Sequence, residues 1–265
     1  MSTAGLPTSL EAFGPAALAA VIVAAYLVVG EPVVGHVLHR RFEARLRTRP
    51  GARRSFYRRL LVLEWGLTLL TLLVWAAATD VDAAAVGLQW PRSWPGPVTA
   101  TAAVALLLFA AVSTRALRGG VLLEAARQER RRPGEGRHAE PPAQATLALL
   151  PRTAGERRLF TLVGLTAGIC EEWLYRGFFL AVVAGLAGGP PGWVLVAVAA
   201  VAFGLAHAYQ GIGGIVLTGV LGGILAALYL STGSLLLPVL LHALVDLRFL
   251  FVPTRVLPAV AGSAR

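Results

Sequence analysis

Six ionisable residues in the last 110 or so residues of the chain are embedded in apolar sequence, and their types and spacing suit hydrolysis. Glu171 and Glu172 are adjacent in Cys170-Glu171-Glu172-Trp173-Leu174-Tyr175-Arg176-Gly177. Glu172 and Arg176 are four apart, so on a helix they share a face and can pair. Glu171 points about 100° away around the same helix and can face a different cavity. His207 closes Phe203-Gly204-Leu205-Ala206-His207, and His242 and Asp246 are again four apart. A carboxylate beside an imidazole can activate water for attack on an amide carbonyl. A second imidazole with a neighbouring donor can stabilise the oxyanion that follows. Glu171, His207 and His242 could equally hold Zn²⁺ with one open position, and residue types alone do not separate the two mechanisms. Neither HExxH nor GxSxG occurs, so the usual zinc-peptidase and serine-hydrolase signatures give no support. The lone Cys170 excludes an internal disulfide and a multi-cysteine metal site, and reads as a small packing residue.

The surroundings of these residues identify the medium. Of the 265 residues, 56% are hydrophobic and 14% charged, where a soluble domain carries about 25% charge. Apolar blocks fall near 14–34, 60–79, 97–117, 159–186, 191–209, 212–231 and 234–252, each close to the length that crosses a bilayer core of about 30 Å. In lipid the backbone must satisfy its own polar groups, so each block is expected to be helical. Ionisable side chains are costly there and default to functional suspects.

The net charge of +10 suggests nucleic acid only until its distribution is read. All 24 basic residues are arginine; nine lie from Arg40 to Arg59 and ten from Arg115 to Arg158. Two basic loops between apolar blocks are the positive-inside pattern of cytoplasmic loops, not a nucleic-acid surface. Residues 1–13 contain no Lys or Arg, so the first block reads as a retained span and not as a secretory signal. Arginine in place of lysine, with abundant Ala, Gly and Val, suggests a GC-rich bacterial genome and hence the bacterial plasma membrane.

The expected fold is therefore all-α: a polytopic transmembrane helical bundle of about seven spans, N-terminus outside and C-terminus cytoplasmic. It divides into a three-span region at 1–120, a basic cytoplasmic linker at 121–157, a four-span region at 158–252 and a cytoplasmic tail at 253–265. The linker contains Arg130-Arg131-Arg132-Pro133-Gly134-Glu135-Gly136 and Pro141-Pro142, read as mobile and carrying orientation charge. In the second region, turns at Gly188-Gly189-Pro190-Pro191, Gln210-Gly211 and Ser231-Thr232-Gly233-Ser234 make consecutive spans antiparallel neighbours. Gly219, Gly222 and Gly223 permit close helix approach.

Glu171-Glu172-x-x-x-Arg176-Gly177, Phe203-x-x-x-His207 and His242-x-x-x-Asp246, in that order, resemble the CPBP family. These are the CAAX-protease and bacteriocin-processing (Abi) intramembrane peptidases, relatives of type II CAAX prenyl endopeptidases. The resemblance covers about residues 158–250 and implies a Glu-and-His activated water that attacks a peptide bond within the membrane. It implies Glu171 as the base, His207 as its partner on the water, His242 and Asp246 on the oxyanion side, and Glu172 with Arg176 as support. The family's third motif often ends in Asn; Asp246 donates a hydrogen bond only if protonated, so orienting His242 is its expected role. No cofactor is favoured, with Zn at Glu171, His207 and His242 as the alternative. The expected partners are membrane lipid and a peptide or protein substrate at the membrane, without nucleic acid. A non-catalytic membrane scaffold or bacteriocin-immunity-type protein of the same fold is the alternative function. A proton-coupled transporter would call for two related halves, which the asymmetric chain lacks.

Overall fold

The computed structural model describes residues 5–46, 48–131, 142–254 and 257. Every regular element among them is helical. The first helix, α1 (Leu10–Leu46), is kinked near its start at Gly14 and from there continues through the start of the expected first basic loop. Arginine is a good helix former, so charge that orients a loop does not interrupt the helix entering it. Within α1 a widened π turn at Tyr26–Gly30 immediately precedes Glu31; such turns recur at functional sites. Next come α2 (Ala52–Ala76) and α3 (Pro97–Arg118), the latter started by proline where the missing N–H costs nothing.

Two helices, α4 (Val121–Arg131) and α5 (Pro142–Leu149), lie inside the segment expected as a linker. Apolar residues there bury against neighbouring elements: Ala126, Leu147 and Leu150 join Leu117, Val252 and Leu257 in a small core. The Arg132–Gly136 part of the expected linker, and most of the tail with Arg255 and Arg265, lie outside the described residues.

The site is carried by α6 (Ala154–Glu172), which passes through a second π turn at Trp173–Phe179 into α7 (Leu180–Leu186). Thr153 and Glu156 form a reciprocal capping box that fixes where α6 begins. Then follow α8 (Gly192–Ala206), α9 (Gly211–Thr232) and α10 (Leu236–Leu247).

Among the described residues four helices are long and apolar enough to cross a membrane: Leu10–Leu46, Ala52–Ala76, Pro97–Arg118 and Ala208–Thr232. Gly192–Ala206 is apolar but shorter. The other expected spans, 159–186 and 234–252, are helical too, the first carrying the buried charges and the second ending in a 3₁₀ turn at Arg248–Phe251. Large apolar side chains face outward along the long helices, among them Val62, Leu69 and Leu73 on α2, Leu108 and Val112 on α3, and Ile212 and Val220 on α9. Water would penalise such belts and lipid accepts them, so the chain is an integral membrane protein of helices.

The N-terminal helices and the later four share one core. Phe13, Ala20 and Leu27 of α1 and Val74 of α2 pack in one cluster with Trp173, Phe178, Leu195 and Phe203. Two indole N–H groups clip α2 to the site helix: Trp65 donates to Thr166 Oγ1 at 3.1 Å, and Trp173 donates to Thr71 Oγ1 at 2.7 Å. Each satisfies a polar group that apolar surroundings would otherwise strand.

Candidate active site

The approach of α6 to α10 decides the geometry. A Cβ at Gly168 would stand 2.9 Å from the Ala243 Cβ and 3.1 Å from the Val239 carbonyl oxygen. Only glycine admits this contact, and one turn later it brings the Glu171-Glu172 pair against His242. The His242 Nδ1–H donates to Glu172 Oε1 at 2.7 Å. The same oxygen accepts from Arg176 Nη1 at 2.7 Å, so the i,i+4 pair expected from the spacing is formed.

Glu172 and Arg176 are fully buried, with side chains 0% exposed. Burying a charge is costly unless it is paired and hydrogen-bonded; Glu172 Oε1 and both Arg176 Nη atoms meet these conditions, while Glu172 Oε2 and Arg176 Nε have no hydrogen-bond partner among the described residues. Arg176 Nη2 donates to the Gly222 carbonyl of α9 at 3.1 Å, and its guanidinium carbon lies 4.3 Å from the centre of the Phe203 ring. At Gly222 a Cβ would come within 2.9 Å of Phe203 Cβ, so the glycine expected to allow close approach also lets its carbonyl reach the arginine.

The far edge of His242 faces the two remaining acids. Its Nε2 is 3.8 Å from Glu171 Oε2 and 3.7 Å from Asp246 Oδ2. Both separations exceed a direct hydrogen bond. His242 is 3% exposed, while the Glu171 and Asp246 side chains reach 19% and 32%; the Glu171 Oε2 atom that faces the ring is itself buried and has no hydrogen-bond partner among the described residues.

His207 stands apart from this contact. Its Nδ1–H donates to the Phe203 carbonyl at 2.9 Å, which leaves Nε2 free as an acceptor. Its ring centre is 4.7 Å from that of Phe203, which is in turn 5.7 Å from His242. Phe203 is thus in ring contact with both imidazoles. Among the described residues Glu171 is in ion-pair range of His242 and forms no hydrogen bond or ion pair with His207.

Residues outside the expected set also reach the site. Glu31 of α1 accepts from the Tyr175 hydroxyl at 2.7 Å, and its charge acts on Glu171 and His207. Glu64 of α2 interacts electrostatically with Glu171 and Asp246, and one of its buried oxygens has no hydrogen-bond partner. The cost of charge in an apolar helix marks both as candidates, as it does the acids of the later spans. His39, expected in a basic loop, is buried within α1 beside Glu43 at 2.9 Å. Its ring stacks 4.8 Å from Tyr209, whose ring lies 6.0 Å from His207.

A metal would need three converging donors. Among the described residues no three His, Cys, Asp or Glu side chains are arranged to hold one, the Glu171, His207 and His242 set included.

Comparison with known proteins adds one match. Residues 154–248 match the family described as Type II CAAX prenyl endopeptidase Rce1-like. No curated protein and no solved structure matches the chain. The matched stretch begins at the first residue of α6 and ends one residue past α10, and so contains all six residues singled out from the sequence. Residues 154–248 are therefore similar to the Rce1-like type II CAAX prenyl endopeptidases, which is consistent with the CAAX-protease family that the three motifs resemble.

Proposed function

We propose that the protein is an intramembrane endopeptidase that hydrolyses a peptide bond of a membrane-associated peptide or protein, in a bundle of seven crossings in a bacterial plasma membrane. One observation carries the reading: a partly accessible carboxylate, Glu171, faces an imidazole whose other nitrogen is held by a buried carboxylate–arginine pair. Spacings of 3.7 and 3.8 Å leave the two acids and the ring edge unbonded to one another and able to bond a third molecule that sits beside them.

In the proposed reaction Glu171 accepts a proton from water while the water oxygen attacks the scissile carbonyl carbon. The tetrahedral oxyanion that forms is stabilised by the Nε2–H of His242, which as an imidazolium donates from Nε2 while its Nδ1–H stays on Glu172. Glu171 then returns the proton to the leaving nitrogen as the C–N bond breaks, giving a carboxylic acid and an amine. His207 is assigned to the water and His242 to the oxyanion side. Because His242 also touches Glu171, its loss is expected to disturb both. Glu172 and Arg176 hold His242, and Asp246 orients its Nε2 edge. No metal is assigned to the site.

The test is cleavage of a membrane-peptide library by the full chain in nanodiscs. Cleavage that depends on Glu171 supports the reading. A non-catalytic scaffold of the same fold would keep its biological effect in Glu171→Ala and His207→Ala variants.

A further inference from the structure

Away from the candidate active site, a cleft of about 660 Å³ opens between the end of α1 and the first turns of α2. Arg54, Arg58 and Arg59 line one side, with Leu38, Val62 and Leu63 as an apolar floor. An adjoining hollow of about 230 Å³ adds Arg45 and Arg49. No carboxylate lines either space. The nearest acid in sequence, Glu43, is buried beside His39. Among the described residues none of these five arginines takes part in an ion pair.

Local structure positions one of these cations and adds to the field around them. A Cβ at Gly155 would lie 2.7 Å from Arg54 Nη2, so the glycine leaves room for that guanidinium against the start of α6. α2 begins at Gly51 without a side-chain cap, which directs the positive end of its dipole into the same space. Planar guanidinium groups match phosphate oxygens two at a time.

The face of α2 that continues from the arginines is apolar and uncovered. Val62 is 72% exposed, Leu69 58% and Leu73 61%, and a side chain at Gly66 would meet nothing within 4 Å. From Arg59 to Leu73 the helix rises about 21 Å at 1.5 Å per residue. One leaflet of the hydrocarbon core is about 15 Å deep. A cationic pocket continuous with an apolar track of that length matches an amphiphile with an anionic head.

We infer that this cleft binds one anionic glycerophospholipid of the surrounding leaflet, its phosphate on Arg54, Arg58 and Arg59 and an acyl chain along α2. The site is independent of the peptidase reading.

The test uses the purified full chain in neutral detergent, followed by native mass spectrometry. Three probes are compared: dioleoyl phosphatidylglycerol, dioleoyl phosphatidylcholine, and glycerol 3-phosphate, which has the charge without the chains. The expected result is one saturable phosphatidylglycerol per chain, with the other two far weaker. Substituting Arg54→Gln, Arg58→Gln and Arg59→Gln together weakens it roughly 100-fold. A control with the same change of charge, Arg40→Gln, Arg115→Gln and Arg118→Gln, leaves it within about threefold, because surface charges away from the site are largely screened. Should the triple variant fail to fold, each single variant reads about fivefold. Equal binding of the two lipids overturns the proposal. So does glycerol 3-phosphate binding as tightly as the lipid, which makes this a free-phosphate site. Equal losses in test and control variants mean diffuse attraction, and overturn it too.

Discussion

His242 and Glu172, 70 residues apart in sequence, meet at 2.7 Å across α6 and α10 on the same carboxylate oxygen that receives Arg176. One buried acid therefore neutralises an arginine and fixes the ring on which the proposed chemistry depends. Glu172→Gln should destabilise the protein by about 3–5 kcal/mol, because it leaves Arg176 charged and buried without an acid. Arg176→Met should cost a comparable amount. The double variant should lose less than the sum, since it removes both charges together. Denaturation in a mild detergent measures all three, and additive losses would contradict the shared pair.

The approach of α6 to α10 gives a second prediction. Gly168→Ala places a methyl where Ala243 and the Val239 carbonyl already stand, the nearest at 2.9 Å. The overpacking should cost about 1–3 kcal/mol. It should also lower kcat disproportionately, because separating the helices draws His242 away from Glu171 and Glu172. A stability loss with unchanged kcat would show that the helix spacing does not set the site.

The two imidazoles should differ when removed. Among the described residues His207 hydrogen-bonds only the carbonyl of Phe203, one turn earlier. His207→Ala should leave thermal stability nearly intact while cutting kcat by about 10²–10⁴-fold. His242→Ala strips a partner from a fully buried carboxylate, so stability and kcat should fall together. Thermal unfolding run beside turnover separates the cases, and equal stability losses for the two histidines would contradict the geometry.

Tyr175 links the first helix to this site. Tyr175→Phe removes the hydroxyl that Glu31 accepts from at 2.7 Å and leaves that partly buried acid one donor short, at a cost of about 1–3 kcal/mol. Glu31→Gln restores a neutral partner and should cost less. Unfolding of the two variants under identical conditions checks the order, and a larger loss for Glu31→Gln would contradict it.

Metal dependence follows from donor placement. Because Glu171, His207 and His242 do not converge on one point, activity should survive chelation, and added Zn²⁺ should not raise it. Metal analysis of the active preparation, before and after chelator, measures this. Activity abolished by chelator and restored by Zn²⁺ would require the three side chains to rearrange.

Much of the site could be read from spacing, because spacing within one helix is local geometry. Glu172 with Arg176 and His242 with Asp246 are i,i+4 pairs, and both come together as a 3.6-residue turn requires. The partners across helices were not legible in the same way. His242 meets Glu172 and Glu171 because Gly168 lets two helices touch, and no pattern within either helix encodes that contact. Glu31 and Glu64 reach the site from α1 and α2 through tertiary packing. Both sit in apolar sequence and bore the same mark of cost as Glu171. The helix through Leu46 was missed for another reason: the arginines that orient a loop with respect to the membrane do not oppose helix formation.

The central claim is that Glu171 supplies the base of a peptidase. It is tested most directly by cleavage of a membrane-peptide library in nanodiscs, wild type against Glu171→Gln, with both shown to unfold at the same temperature. The account predicts cleavage by the wild type and a loss of at least about 10²–10⁴-fold in the variant. Equal cleavage by both proteins would contradict the role of Glu171, and no cleavage by the folded wild type would contradict the peptidase reading itself.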